Sequence, residues 1–136
     1  MDLELAPKVF AAVHAAITRG LVRACHDPSE GGLSVALAEM AFAGGVGADV
    51  TDLKAAAADL SDTARLFGES PTRFLLEVPA AKLNDVQVLC GADVPAIVLG
   101  KTVKEKRLWI AGRIGEWLLW SPLDKLKEAW QKPLRW

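Results

Sequence analysis

The stretch 25–40, Cys-His-Asp-Pro-Ser-Glu-Gly-Gly-Leu-Ser-Val-Ala-Leu-Ala-Glu-Met, gathers most of the side chains in this protein that could do chemistry. It sets a polar, glycine-containing turn between an apolar strand signal (21–24) and an apolar helix signal (33–43). A turn feeding a helix N-terminus offers unpaired backbone N–H groups and the positive end of the helix dipole. Phosphate is at home there, and a neighbouring carboxylate such as Asp27 can hold the phosphate's Mg²⁺. Gly31 and Gly32 would let a ligand or a neighbouring backbone come close where a Cβ would block it. Asp27 and Ser29 are also good N-cap residues, however, and strand–turn–helix units carry Asp, Ser and Gly with no ligand at all. The pattern is neither a Walker A loop nor a G-x-G-x-x-G fingerprint, so spacing alone favours the cap over the ligand.

Positioning such a turn requires a domain with its own core, and 136 residues suffice for one. Hydrophobic residues make up 51% and charged residues 24%, the balance of a water-soluble globular chain. Sixteen basic against seventeen acidic residues leave a net charge of −1, which carries no signature of nucleic acid or an anionic membrane. No apolar run approaches the ~18 residues of a membrane span. The start, Met1-Asp2-Leu3-Glu4-Leu5, lacks the basic end and apolar stretch of a signal peptide, so a cytoplasmic location is expected. Cys25 and Cys90 lie too far apart for a metal knuckle and are expected as buried thiols, not a disulfide. Two histidines, His14 and His26, leave little for a zinc site or an acid–base triad, and no catalytic residue is assigned.

The hydrophobic periods predict the elements around the turn. A helix over 6–18 carries Pro7 in its first turn, with Val9, Phe10, Val13 and Ile17 as one apolar stripe and His14 on its flank. The helix over 33–43 is apolar nearly all round, Glu39 being its one charge, and must be covered on more than one side. Glycines 44, 45 and 47 break it before a strand at 48–50. The alanine-rich segment 52–62 is expected as a short helix or ordered loop, and Ser61-Asp62-Thr63 as the cap of a second short helix ending near Gly68. Strands are expected at 73–78 and 96–100, with an amphipathic helix over 80–89 between them. Val103 and Leu108-Trp109-Ile110 flank the charged turn 104–107 and predict a hairpin. A short strand at 117–120 and an amphipathic helix over 123–130 close the series. The order predicts an α+β fold over a single domain, 1–136, with one mixed sheet and helices packed on it. Trp109, Trp117, Trp120, Trp130 and Trp136 are expected to pack the tail on that sheet; an exposed Trp patch would instead mark an interface with another domain.

His26-Asp27-x-Ser29-Glu30-Gly31-Gly32-Leu33, followed by Ala36-Leu37-Ala38-Glu39-Met40-Ala41, resembles the last domain of the phosphoribosylformylglycinamidine synthase family. That family shares a superfamily with aminoimidazole ribonucleotide (AIR) synthetase, selenophosphate synthetase, thiamine monophosphate kinase and the hydrogenase-maturation protein HypE. Leu66-Phe67-Gly68-Glu69-Ser70 with Arg73-Phe74, and a tail reading Ser121-Pro122-Leu123 through Glu128-Ala129-Trp130, extend the resemblance over nearly the whole chain. It implies the AIR synthetase C-terminal domain fold, an α-β-α sandwich partly like a ferredoxin fold. It also implies a share in the ATP- and glutamine-dependent conversion of formylglycinamide ribonucleotide (FGAR) to its amidine (FGAM) in purine biosynthesis. The partners implied are the remaining synthetase domains and a glutaminase domain or subunit, with no nucleic acid and no membrane. By the same resemblance Asp27 is a metal ligand, and Ser29, Gly31 and Gly32 contact the nucleotide of an auxiliary Mg²⁺–ATP/ADP site. Glu69, Ser70 and Arg73 are candidates for a phosphate or inter-domain contact. The domain alone is then a scaffold without full activity, holding no tightly bound nucleotide and self-associating weakly. The alternatives are a non-catalytic interaction module, or the C-domain of another superfamily member, HypE-like or AIR synthetase-like.

Overall fold

A computed structural model describes residues 2–53, 59–112 and 114–134. Helix α1 (Leu5–Thr18) starts where Asp2 Oδ1 accepts the N–H groups of Glu4 and Leu5 at 2.9 and 3.0 Å, with Pro7 in the first turn. Its buried face is Ala6, Val9 and Ala16, whereas Phe10 and Ile17 are each 50% exposed, so only part of the expected stripe is covered. The helix packs against one short helix, α4 (Leu83–Cys90), which cannot cover a wide stripe. Gly20 at φ +65° ends α1, and the buried Leu21 bonds back to the Ala16 carbonyl at 2.9 Å. That turn displaces the expected strand 21–24 along the chain: β1 is Ala24–His26, paired antiparallel with β3 (Leu75–Glu77) as a two-stranded sheet.

Helix α2 (Gly32–Gly44) is covered on several sides, as its composition requires: it touches both sheets, α3 (Asp62–Phe67) and α5 (Leu123–Gln131). Leu33, Leu37 and Ala41 of α2 join Val50, Leu53, Leu66, Leu108, Ile110 and Leu123 in one core. Helix α3 is capped as its sequence predicts, Ser61 Oγ accepting the Ala64 N–H at 3.2 Å, and it stops at Gly68. The alanines of the segment 52–62 fall within 54–58, outside the described residues.

The main sheet has the order β4-β2-β5-β6, from β4 (Gly100–Val103), β2 (Gly47–Val50), β5 (Arg107–Ala111) and β6 (Trp117–Pro122). The described residues thus form two sheets, not one. The expected hairpin across 104–107 is also corrected. β2 lies between its arms, antiparallel to β4 with Gly47 opposite Val103 and parallel to β5 with Ala48 opposite Leu108. Alternating apolar residues look the same whether two strands touch or flank a third. A glycine is required at 47, because a Cβ there would lie 1.9 Å from the Glu105 carbonyl oxygen. Regular pairing begins only at Gly100; of the expected strand 96–100, Leu99 instead offers its carbonyl to the N–H groups of Thr51 and Asp52, both at 3.0 Å.

The tail differs from expectation in one respect. Leu123 is buried and Leu126 packs against the core, but α5 lies on α2, with Trp130 5.7 Å from Phe42 between ring centres. Trp120, opposite Trp109, and Trp117 are more than half exposed, and Trp136 lies outside the described residues. The cysteines are free but not buried. Cys25 is exposed because it alternates to the face of β1 opposite the partly buried Ala24 and His26, and Cys90 is half-buried at the end of α4.

Candidate functional site

β1 delivers Asp27 and Ser29 to the surface, where the chain turns into α2. Neither side chain caps that helix: the N-cap is Gly31, in the left-handed conformation at φ +84°. Ser29 Oγ donates instead to Asp27 Oδ2. This bond, with a contribution from the residue's own N–H, holds the exposed Asp27 carboxyl below the usual carboxylate range. The turn therefore presents an ionised carboxylate to solvent, with a hydroxyl beside it. Pro28 stiffens it from within by fixing its own φ.

The second polar motif arrives from α3. Gly32 makes this approach close: a Cβ would lie 2.7 Å from the Phe67 carbonyl carbon and 2.8 Å from the Leu66 oxygen. Beyond α3, Glu69 Oε1 accepts the Gly31 N–H at 2.8 Å, placing a carboxylate of the chain itself at the positive end of α2. Asp27, Pro28 and Ser29 on one side, and Glu69, Ser70, Pro71, Thr72 and Arg73 on the other, line one surface hollow. Arg73 makes a long 3.4 Å bond to the Gly68 carbonyl. The structure thus brings Asp27, Ser29, Glu69, Ser70 and Arg73 to one hollow, while Gly31 and Gly32 stand outside its lining. Gly31 spends its N–H on Glu69, and Gly32 accepts a neighbouring backbone.

The sequence does not reveal the aromatic wall of this hollow, where Phe10 and Phe74 meet edge to face at 5.8 Å. Phe10 reads as a core residue of α1, and nothing in its periodicity separates it from the buried members. Nor is Thr72 expected. It holds φ +67°, the single non-glycine residue at positive φ among those described, and its buried hydroxyl has no hydrogen-bond partner. For a β-branched residue that conformation is strained by roughly 1–2 kcal/mol. Thr72→Gly is therefore expected to stabilise the domain by about 1 kcal/mol, after the entropy that glycine regains in the unfolded chain is subtracted. Thermal melting checks this; an unchanged or lower Tm would show that the hydroxyl or methyl contributes more than the strain costs.

No group of three or more His, Cys, Asp or Glu side chains able to hold a metal exists among the described residues. A self-contained metal cage is thus not built here. Asp27 does fit a Mg²⁺ that arrives on a phosphate and takes its other oxygens from the ligand, water or another domain.

Residues 1–111 match the family described as AIR synthase related protein, C-terminal domain. Phosphoribosylformylglycinamidine synthase subunit PurL of Deinococcus radiodurans is 42% identical over 135 residues, covering 99% of this chain and 18% of that protein. The same subunit of Thermus thermophilus is 38% identical over 137 residues, again covering 99% and 18%. Among solved structures, T. maritima PurL complexed with FGAR matches with a TM-score of 0.78 at 20% identity, over 89% of this chain and 20% of that one. T. maritima PurL complexed with ATP matches with a TM-score of 0.77 at 20% identity, over 88% and 21%. At that identity the structural likeness establishes the α+β fold. The chain spans about a fifth of the length of these relatives.

Proposed function

The chain belongs to the AIR synthase related protein C-terminal domain family, and from that we propose that it works as the last such domain of a phosphoribosylformylglycinamidine synthase. The intact enzyme would convert FGAR to FGAM with ATP and glutamine-derived ammonia, in the cytoplasm. Its remaining synthetase domains and a glutaminase are the partners. This domain's share is to scaffold the domain pairing and to complete an auxiliary Mg²⁺–nucleotide site; by itself it lacks synthetase activity. PurL relatives matching 99% of the chain favour this over a HypE-like or AIR synthetase-like enzyme.

One observation carries the nucleotide role. The Asp27–Ser29 turn and the Glu69–Arg73 loop, far apart in sequence, are tied by the Gly31–Glu69 bond and line a single hollow. In this reading Asp27 is the metal ligand and Ser29 bounds the phosphate side, with Gly31 and Gly32 shaping the turn behind it while the Gly31 N–H stays on Glu69. Ser70 and Arg73 close the hollow opposite, while Glu69 holds loop and turn together. The metal, when bound, would neutralise phosphate charge. The T. maritima structures with ATP and ADP support nucleotide as the ligand class.

Asp27→Asn keeps the size of the side chain and removes the charge the metal needs. In synthetase reassembled from this chain and its missing domains, it is expected to lower nucleotide retained through purification about tenfold or more, equivalent to about 1.4 kcal/mol of binding. The thermal shift produced by Mg²⁺-ADP should shrink with it. Unchanged retention and an unchanged shift would remove Asp27 from the site.

A further inference from the structure

We propose that Glu39 and Trp130 are positioning residues for the Asp27–Ser29 turn, acting through His26. Three short polar contacts run in series from the tail helix to the turn. Trp130 Nε1 donates to Glu39 Oε1 at 2.7 Å, and the other carboxylate oxygen, Oε2, lies 2.8 Å from His26 Nε2. His26 Nδ1 in turn lies 2.7 Å from the backbone carbonyl oxygen of Asp27. Carboxylate and carbonyl oxygen thus flank the imidazole at its two nitrogens, whose donor and acceptor roles follow the ring's tautomer.

The bond to the Asp27 carbonyl matters because the next residue is a proline. Pro28 has no N–H, so the peptide joining Asp27 to Pro28 can be gripped only by its carbonyl oxygen. The φ of Pro28 is fixed by its ring, and a residue before proline is confined to extended conformations. The tilt of that peptide plane is then one of the few torsions left, together with the ψ of Pro28 and the Asp27 side-chain torsions, that set how the Asp27 carboxylate stands relative to Ser29. His26 holds the plane, and Glu39 holds the imidazole in the orientation that reaches it. Glu39 is itself fixed between two donors, one of them an indole whose ring rests on Phe42. The single charge on the otherwise apolar α2, and a tryptophan 91 residues downstream of it, thereby acquire a purpose that neither has as core packing.

The geometric part of this proposal is independent of what binds in the hollow; its bearing on nucleotide retention rests on the function proposed above. The test uses the 136-residue chain and two mild substitutions. Trp130→Phe keeps the ring on Phe42 and removes one donor. Glu39→Gln keeps the shape but replaces an acceptor oxygen with an N–H₂ that repels one of the two donors. Amide exchange is read by NMR at Gly31, whose N–H bond to Glu69 depends on the placement of the turn, and along α5 as a control. The expected result is about tenfold faster exchange at Gly31 in Glu39→Gln, a smaller rise in Trp130→Phe, and α5 unchanged. Adding His26→Asn to Glu39→Gln should cause no further rise, because the two act in series. Unchanged exchange at Gly31, a general loosening along α5, or fully additive effects would each overturn the proposal. In reassembled enzyme, faster Gly31 exchange with Mg²⁺-ADP retention unaltered would uphold the positioning role and count against the turn as the nucleotide site.

Discussion

Gly32→Ala is expected to cost this domain on the order of 3 kcal/mol or more, and to lower Tm by about 10 °C or more. Two effects add. The residue holds φ +66°, where an L-side chain costs about 1–2 kcal/mol. The new methyl would also lie 2.7 to 2.8 Å from three backbone atoms, the Phe67 carbonyl carbon and Cα and the Leu66 oxygen. A side chain so approached could swing away; a backbone cannot, so α2 and α3 must separate. That separation would carry the Glu69 loop off the turn and open the hollow. Gly20→Ala is the control, since Gly20 has φ +65° but nothing within 4 Å of its would-be Cβ. It should show the conformational cost alone, and equal losses at the two positions would show that the α2–α3 contact tolerates a methyl.

Arg65→Ala should be comparably damaging, by about 3–5 kcal/mol. Arg65 is 1% exposed, on the buried side of α3 beside Leu66, and its Nη1 lies 2.8 Å from Asp62 Oδ1. Truncation would leave a cavity the length of the side chain and take a partner from a largely buried carboxylate. Arg65→Met paired with Asp62→Leu separates the two contributions: it refills the volume and removes both charges, and buried ion pairs replaced whole by apolar residues of similar size are frequently neutral. Most of the loss is therefore expected to return in the double variant, whereas Arg65→Met alone, which strands Asp62, should recover less; both are read as the urea midpoint of unfolding at constant m-value. A double variant as unstable as the alanine one would show that the guanidinium's polar bonds, and not its volume, hold α3 in place.

These two residues also mark where sequence patterns stop being informative. Local chemistry was readable: the Ser61 cap, the stop at Gly68 and the all-round cover of α2 arise from neighbours a few positions apart. Arg65 was not, because an arginine on a short capped helix ordinarily faces water, and only the packing of α3 on α2 turns it inward. Phe10 failed in the opposite sense, since a stripe on α1 shows which residues could be buried but not how wide its partner helix is. Both halves of the candidate site stood out as motifs. That they share one hollow depends on a bond between Gly31 and Glu69, 38 positions apart, which no periodicity encodes.

The insertion of β2 between β4 and β5 constrains the order in which the chain can assemble. The three residues 104–106 that join β4 to β5 are short enough to zip those strands into a local hairpin quickly, on the microsecond scale of such turns. Such a hairpin has the wrong neighbours, because in the finished sheet each arm bonds to β2 and neither to the other. It must reopen by the width of a strand, roughly 4.8 Å, before the segment around Gly47 can enter. Were that hairpin to form first it would compete with the native pairing, and the slower, long-range arrival of β2 would then commit the sheet. Glycine at 47 keeps the incoming strand narrow enough to pass beneath the Glu105 carbonyl.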